Sequence, residues 1–268
     1  MSSDILQIFQ YGFIVRGIEA GVIVSLVAPL VGIFLVLRRY SLIADTLSHV
    51  SLAGIAGGML FGIPPVISAL AAAVAASFGI ERLRNSRRLS GESALALFLS
   101  GSLALALILI SLAHGFNANL FSYLFGSVVT VTNRDIVVIA ALSVVIVGLI
   151  ALFYKELVYV TFDEEAAQVS GIPTRLINSV LILLAAVLVA LAIPVVGVLL
   201  ISALIVIPVV SALQFRTGFA RTILIAESIS VFSVVTGIFT SYFLDLSTGG
   251  TIVIVMLAIF SAIFFWKR

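Results

Sequence analysis

The sequence predicts an all-α membrane protein, a polytopic transmembrane helical bundle of about nine spans (eight to nine). Of its 268 residues, 62% are hydrophobic and only 10% are charged, which leaves less polar surface than a soluble domain of this size exposes. Apolar runs of about 18 residues or more recur along the chain, and a helix needs about 20 residues to cross ~30 Å of hydrocarbon. These runs are continuous, so the pattern predicts helices and not the alternating strands of a β-barrel.

The predicted spans follow the apolar runs in chain order. They are residues 13–37, 43–62, 65–81, 93–113, 135–154, two crossings between 175 and 216, 222–244 and 250–266. Pro64 and Pro65 separate the second span from the third, because proline cannot continue a helix. The run after residue 175 is too long for one crossing and is expected to fold back at 193–197. Residues 119–131 are too few to span and predict a short re-entrant or interfacial segment on the outer side.

The basic residues predict which helix ends face the cytoplasm. Twelve of the fourteen Lys and Arg residues lie in clusters that an even number of predicted crossings separates. The positive-inside rule assigns these clusters to the cytoplasm, with the N-terminus and His114 outside and the C-terminus inside. The clusters are Arg38 and Arg39; Arg82, Arg84, Arg87 and Arg88; Lys155; Arg175; Arg216 and Arg221; and Lys267 and Arg268.

The sequence lacks the motifs of common enzyme classes. Its two lysines, Lys155 and Lys267, do not follow glycine, so no GxxxxGK(S/T) loop is present to hold a nucleotide phosphate. There is no HExxH motif or serine–histidine–aspartate arrangement, and the absence of cysteine excludes a thiolate metal site. In a membrane protein the placement of positive charge matters more than its sum, so the basic pI does not indicate nucleic-acid binding. We therefore expect neither an enzyme nor a nucleic-acid-binding protein.

Asp45 and His49 form an unusual polar pair in this apolar sequence. The i, i+4 spacing places both side chains on one helix face, and such groups are costly in a membrane unless they are paired, solvated or used. One interpretation is a structural pair in which Asp45 accepts a hydrogen bond from His49. The other is a metal site, because a carboxylate and an imidazole suit Mn²⁺, Fe²⁺ or Zn²⁺. One copy of the chain supplies two ligands, and two copies across a symmetry axis would supply four.

Four residues predict close helix packing or gating. Gly54 and Gly58 have the small-xxx-small spacing that lets two membrane helices approach closely, although this spacing is common in any membrane bundle. Pro194 and Pro208 interrupt the hydrogen bonding of a helix and favour kinks. Kinks suit a gated pathway, and they also occur in bundles with no transport role.

Two further acidic residues fall within predicted spans. Glu19 lies three residues after Arg16, so an ion pair on one helix face is the expected explanation. Glu227 follows Arg221 and is expected to lie near the inner headgroups. The sequence leaves open whether either carboxylate takes part in a transport pathway.

Residues 160–175 contain the most polar internal loop and predict a short amphipathic helix that ends at Gly171. Acidic residues favour the N-terminus of a helix, and glycine favours its C-terminal end. The loop is either a solvated connector or a docking helix for another protein. The residues that would carry docking are Asp163, Glu164, Glu165, Ala166, Ala167 and Gly171.

Three stretches of the sequence resemble the membrane subunits of ABC importers for manganese, zinc and iron. They are FLVLRRYSLIADTLSHVSLAG (34–54), FDEEAAQVSGIP (162–173) and IPVVGVLLISALIVIPVVSA (193–212). The resemblance implies a single transmembrane permease domain over residues 1–268, located in the bacterial plasma (inner) membrane and surrounded by lipid. It also implies a homodimer, two cytoplasmic ABC ATPase subunits and an extracytoplasmic metal-binding protein.

The resemblance also implies roles for particular residues. Asp45 and His49 correspond to residues that line the pathway and coordinate the transported Mn²⁺, Zn²⁺ or Fe²⁺, with no permanently bound cofactor. The loop at about 156–175 matches, from Glu165 to Gly171, the EAAxxxG pattern by which ABC permeases dock their ATPases. The expected function is ATP-driven metal import by alternating access at the dimer axis. The alternatives are an ion-coupled secondary transporter that uses Asp45 and His49 as a relay, and an ABC permease for an iron chelate.

Overall fold

The computed structural model describes residues 11–84, 90–113, 118–127, 129 and 131–267. Within these residues the chain is largely α-helical and forms no β-strand, which confirms the all-α bundle. The helices are α1 (Gly12–Leu37), α2 (Ser41–Phe61), α3 (Pro65–Arg84), α4 (Gly91–Leu112), α5 (Ala118–Phe125), α6 (Asn133–Leu152), α7 (Tyr154–Phe162), α8 (Glu164–Val169), α9 (Thr174–Val196), α10 (Ile201–Leu213), α11 (Phe219–Leu244) and α12 (Thr248–Trp266). Arg87, Arg88, His114 and Arg268, which contributed to the topology prediction, lie outside the described residues.

Eight of the described helices are long and apolar enough to cross a membrane, and α10 is a shorter apolar helix. Its 13 residues are too few for ~30 Å of hydrocarbon. Val196, before α10, packs against Gly249 at the start of α12. Phe215, after α10, lies beside Lys267 at the end of α12, with 4.1 Å between the ring centroid and Nζ. The segment around α10 therefore covers the same height as α12, in agreement with the predicted eight to nine spans.

The helix termini gather at two ends of the bundle. One end contains Arg38 after α1, Arg84 of α3 and Glu164 of α8, and we call it the basic end. At the other end the ring centroids of Tyr11, before α1, and Tyr242 of α11 lie 6.5 Å apart. The end of α1 and the end of α11 therefore lie at opposite ends of the bundle, which agrees with the predicted order of crossings. The assignment of the basic end to the cytoplasm stays a prediction.

Backbone contacts among three glycines hold the end opposite the basic end, and we call Gly126, Gly197 and Gly249 the glycine junction. Gly197 turns the chain after α9 with a φ of 86°, a backbone conformation that residues other than glycine rarely adopt. A Cβ added there would lie 2.3 Å from the Gly126 nitrogen, and one added at Gly249 would lie 2.0 Å from the Val196 carbonyl oxygen. The backbones of three segments are therefore in direct contact.

The short helix α5 belongs to this junction and does not cross the bundle. Seven of its eight residues fall within the predicted short segment at 119–131. Hydrogen bonds fix it to the break between α9 and α10: Val198 N–H donates to the Tyr123 carbonyl at 2.9 Å, and Ser127 N–H donates to the Pro194 carbonyl at 3.2 Å. The chain folds back at Gly197, as the length of the apolar run predicted, whereas Pro194 lies inside the last turn of α9.

Helices α1, α2 and α9 form the core, and α4 and α6 lie at the periphery. Gly54 and Gly58 lie on the side of α2 that meets α3, where added Cβ atoms would lie 2.7 Å from the Ser68 carbonyl oxygen and 2.1 Å from the Ser68 hydroxyl. The small residues therefore determine how closely these two helices approach. Pro208 is buried within α10.

Candidate functional site

Asp45 and His49 lie on one face of α2, close to its first residue, Ser41. Asp45 Oδ1 and His49 Nε2 are 4.0 Å apart, longer than a hydrogen bond between these atoms. The Asp45 side chain is 39% exposed and the His49 side chain 17% exposed. The other ring nitrogen of His49, Nδ1, is buried and has no hydrogen-bond partner among the described residues. A structural pair would be expected to form the hydrogen bond that is absent here.

The Asp45 carboxylate opens into a groove between α2 and α10. The groove has a volume of about 380 Å³ and includes Ser41, Ser202 and Val206 in its lining. In the part of the chain that the structure describes, no third His, Cys, Asp or Glu side chain joins this pair. At about 1.5 Å of rise per residue, Asp45 lies about 6 Å along α2 from the basic end. One chain therefore presents the Asp45 carboxylate to an open groove, and the His49 imidazole lies 4.0 Å behind it, outside the lining of the groove.

The structure brings neither of the other two acidic candidates to this pair. Glu19 is exposed, and the predicted ion pair with Arg16 does not form among the residues that the structure describes. Arg16 Nε instead donates to the Val131 carbonyl oxygen at 2.9 Å. That bond ties α1 to the segment after α5. Glu227 lies in a different groove, between α1 and α11, with Leu26 and Phe232.

The predicted amphipathic helix is present as α8 and is short. Asp163 begins it, with its Oδ1 accepting from the Ala166 N–H at 2.8 Å, and the chain turns at Gly171, where φ is 84°. Ala167 is fully buried against the bundle, whereas Val169 is 90% exposed. Ala167 therefore packs on the bundle, and the docking role of this loop stays a prediction. The outward face of α8 carries Val169 and the exposed Glu165 instead.

Glu164 of α8 points back into the bundle and contacts two residues that the sequence reasoning missed. Arg38 Nη2 donates to Glu164 Oε2 at 2.6 Å, and Asn178 Nδ2 donates to Glu164 Oε1 at 2.8 Å. Arg38 also donates to the Asn178 side-chain oxygen. In the sequence, the one indication of this network was Asn178, a polar residue one turn inside an apolar span. Its partner Glu164 lies 14 residues away, and Arg38 lies 140 residues away.

Comparisons with known proteins cover nearly the whole chain. A family model described as the ABC 3 transport family matches residues 10–267. A Treponema pallidum protein named "Probable metal transport system membrane protein" is 37% identical over 255 residues, covering 93% of this chain and 96% of that protein. The "Manganese transport system membrane protein MntC" of Listeria innocua is 30% identical over 253 residues, covering 94% and 90%.

A solved structure has the same fold over the same extent. PsaBC from Streptococcus pneumoniae, solved in complex with Fab, superposes with a TM-score of 0.88 and 27% sequence identity, covering 98% of this chain and 95% of that chain. The family match, the two relatives and the apolar helices agree with one another. The chain belongs to the ABC 3 transport family and is a multi-pass membrane permease subunit of an ABC transporter in the bacterial plasma membrane.

Proposed function

We propose that this permease imports a divalent transition metal, Mn²⁺, Zn²⁺ or Fe²⁺, by alternating access at the axis of a homodimer. Two ABC ATPase subunits on the cytoplasmic side drive the cycle, and an extracytoplasmic metal-binding protein delivers the ion. Membership of the ABC 3 transport family and the names of the metal-transport relatives support this function. The missing phosphate-binding loop is consistent with ATP hydrolysis on a separate subunit.

The observation that carries the proposal is the geometry of Asp45 and His49. Ligand atoms bound to one tetrahedral metal at about 2.1 Å lie about 3.4 Å apart, so small rotamer changes bring the observed 4.0 Å separation into range. One chain provides only two ligands, and the groove leaves the Asp45 carboxylate accessible to a second copy. A two-fold axis at this groove would complete a site with two oxygens and two nitrogens. Without thiolates, such a site releases its ion readily.

The ATPase subunits dock on α8 and its flanks, residues 162–171. The outward Glu165 and Val169 supply a charged and an apolar contact, while Ala167 holds the helix on the bundle. This arrangement supports docking through one face of α8 and anchoring through the other.

The two alternatives receive less support. Family membership favours an ATP-driven permease over an ion-coupled secondary transporter. An iron-chelate permease is expected to use a wide apolar cavity without metal ligands. The apolar cavity of about 460 Å³ lies between α2, α3 and α4, away from Asp45, and the groove that contains Asp45 also carries the hydroxyls of Ser41 and Ser202.

The test measures uptake of radioactive manganese by cells that express the complete transporter with Asp45→Ala or His49→Ala. Each variant is expected to lower uptake by at least about a hundredfold, because half of the ligands are lost from a site that must replace the water shell of the ion. Thr46→Val is the matched control, since Thr46 is a buried neighbour of Asp45 whose hydroxyl donates to the Leu42 carbonyl oxygen of its own helix. Both alanine variants should still co-purify with the ATPase. Normal uptake by a well-assembled Asp45→Ala variant would rule out the site.

A further inference from the structure

Arg38 is a buried cation at the junction of three helices. Its side chain is 4% exposed, and it follows directly after α1. The guanidinium donates to Glu164 of α8 and to Asn178 of α9, and it lies 3.4 Å from the Tyr40 hydroxyl. A buried charge is costly unless its hydrogen bonds are satisfied. Arg38 therefore ties the end of α1 to α8 and to the start of α9.

Tyr40 extends this network to α2. The guanidinium carbons of Arg38 and Arg84 lie 4.7 and 3.9 Å from the centroid of the Tyr40 ring, distances at which a cation is attracted to an aromatic face. Tyr40 is the residue immediately before α2. Its own N–H donates to the Leu35 carbonyl at 2.7 Å, which closes a tight turn after α1.

The two partners of the ion pair differ in their access to water. The Glu164 side chain is 43% exposed, about ten times the exposure of Arg38. Glu164 moves with α8 at the surface, whereas Arg38 is held inside the bundle by Asn178 and Tyr40. A displacement of α8 therefore pulls on Arg38 through its bond to Glu164, and Arg38 passes the pull to Tyr40 through its own contacts.

We infer that Arg38 and Glu164 are positioning residues that transmit the displacement of α8 by the ATPase to the first turn of α2. Asp45 lies five residues after Tyr40, about 7.5 Å along the helix, so a movement of Tyr40 changes the orientation of the pair Asp45 and His49. The inference rests on the proposed function, because it assumes that the ATPase acts on α8. It assigns a step between the two sites that the proposed function leaves undescribed.

The test uses the permease–ATPase complex in lipid vesicles with Glu164→Gln, Arg38→Gln and the double variant. Each single variant is expected to assemble and to hydrolyse ATP, while the metal imported per ATP hydrolysed falls about tenfold, within the range typical of coupling between sites. The double variant should be no worse than Arg38→Gln, since Arg38→Gln already removes the ion pair with Glu164. Arg221→Gln is the matched control, because Arg221 is an exposed cation at the start of α11.

A second measurement reports the movement of α2 and does not require metal transport. The native chain has no cysteine, so Leu42→Cys, in the first turn of α2 and 58% exposed in one chain, provides a single reporter. ATP binding should change its rate of modification by a water-soluble maleimide, and Glu164→Gln should abolish that change.

Two results would overturn the inference. One is a normal ratio of metal to ATP, together with a normal nucleotide response at position 42, in assembled Glu164→Gln complexes. The other is a fall in transport that only parallels the loss of assembled complex, as a purely structural bond predicts. A wild-type complex that imports no metal would instead refute the proposed function, and the maleimide readout would still test the link between α8 and α2.

Discussion

The two ends of the bundle are held by different kinds of contact. At the basic end, Arg38, Glu164 and Asn178 connect three helices through long polar side chains. At the opposite end, Gly197 and Gly249 bring backbones into contact with no side chain between them. Side-chain hydrogen bonds can be exchanged for water, whereas a close backbone contact leaves no such alternative. The comparison indicates an adjustable basic end and a glycine junction whose segments move as one body.

The largest effect is expected from an added methyl group in the glycine junction. In Gly249→Ala the new Cβ would lie 2.0 Å from the Val196 carbonyl oxygen, and overpacking of this kind costs about 3 kcal/mol. We expect a large fall in the thermal midpoint of the purified permease. Gly148→Ala is the control, because no described residue from another helix lies within 4 Å of the Cβ it would add. Equal midpoints for the two variants would show that the junction is not tightly packed.

A smaller effect is expected at the basic end from Asn178→Ala. The variant removes the amide that donates to Glu164 and accepts from Arg38, and loss of such a partner costs about 1–2 kcal/mol. Water can reach the half-exposed Glu164 and limit the loss. The midpoint should therefore fall less than in the junction variant. Ser179→Ala is the control, since its hydroxyl bonds only within its own helix. A loss as large as that at the junction would contradict the comparison.

The smallest effect on the two ends of the bundle is expected from a change in salt concentration. Raising the ionic strength from 0.1 to 1 M shortens the screening length from about 10 to about 3 Å, which weakens the ion pair between Arg38 and the half-exposed Glu164. Amide hydrogen exchange in α8 should accelerate by up to a few-fold. Exchange in α5, whose contacts to the junction are backbone hydrogen bonds, should stay unchanged. An equal response of both helices would remove the electrostatic distinction between the two ends.

The sequence predicted those features that depend on local composition. Long apolar runs identified the spans, and the excess length after residue 175 identified the reversal at Gly197. The acidic residues before Ala166 identified α8. These predictions succeeded because a helix must satisfy its own backbone and cover a fixed thickness.

Features that depend on distant partners were not predictable from the sequence. Arg38 and Glu164 are 126 residues apart, and nothing local to either residue indicates the other. The predicted pair of Arg16 and Glu19 does not form, and the partner that Arg16 has instead, the Val131 carbonyl, lies 115 residues away in the sequence. The i, i+4 spacing of Asp45 and His49 predicted that both side chains lie on one helix face. The distance of 4.0 Å between Asp45 Oδ1 and His49 Nε2 depends on side-chain conformations that the sequence does not determine.

The two-ligand site on α2 has a genetic consequence in the homodimer proposed above. A single codon change at Asp45 alters two of the four ligands at once, because both subunits come from one gene. In a cell that makes equal amounts of normal and altered chains, random pairing leaves only a minority of dimers with the full ligand set. Inactive chains that still dock the ATPase would also occupy it. If the proposed site is divided between identical subunits, we therefore expect such alleles to act dominantly over the normal one.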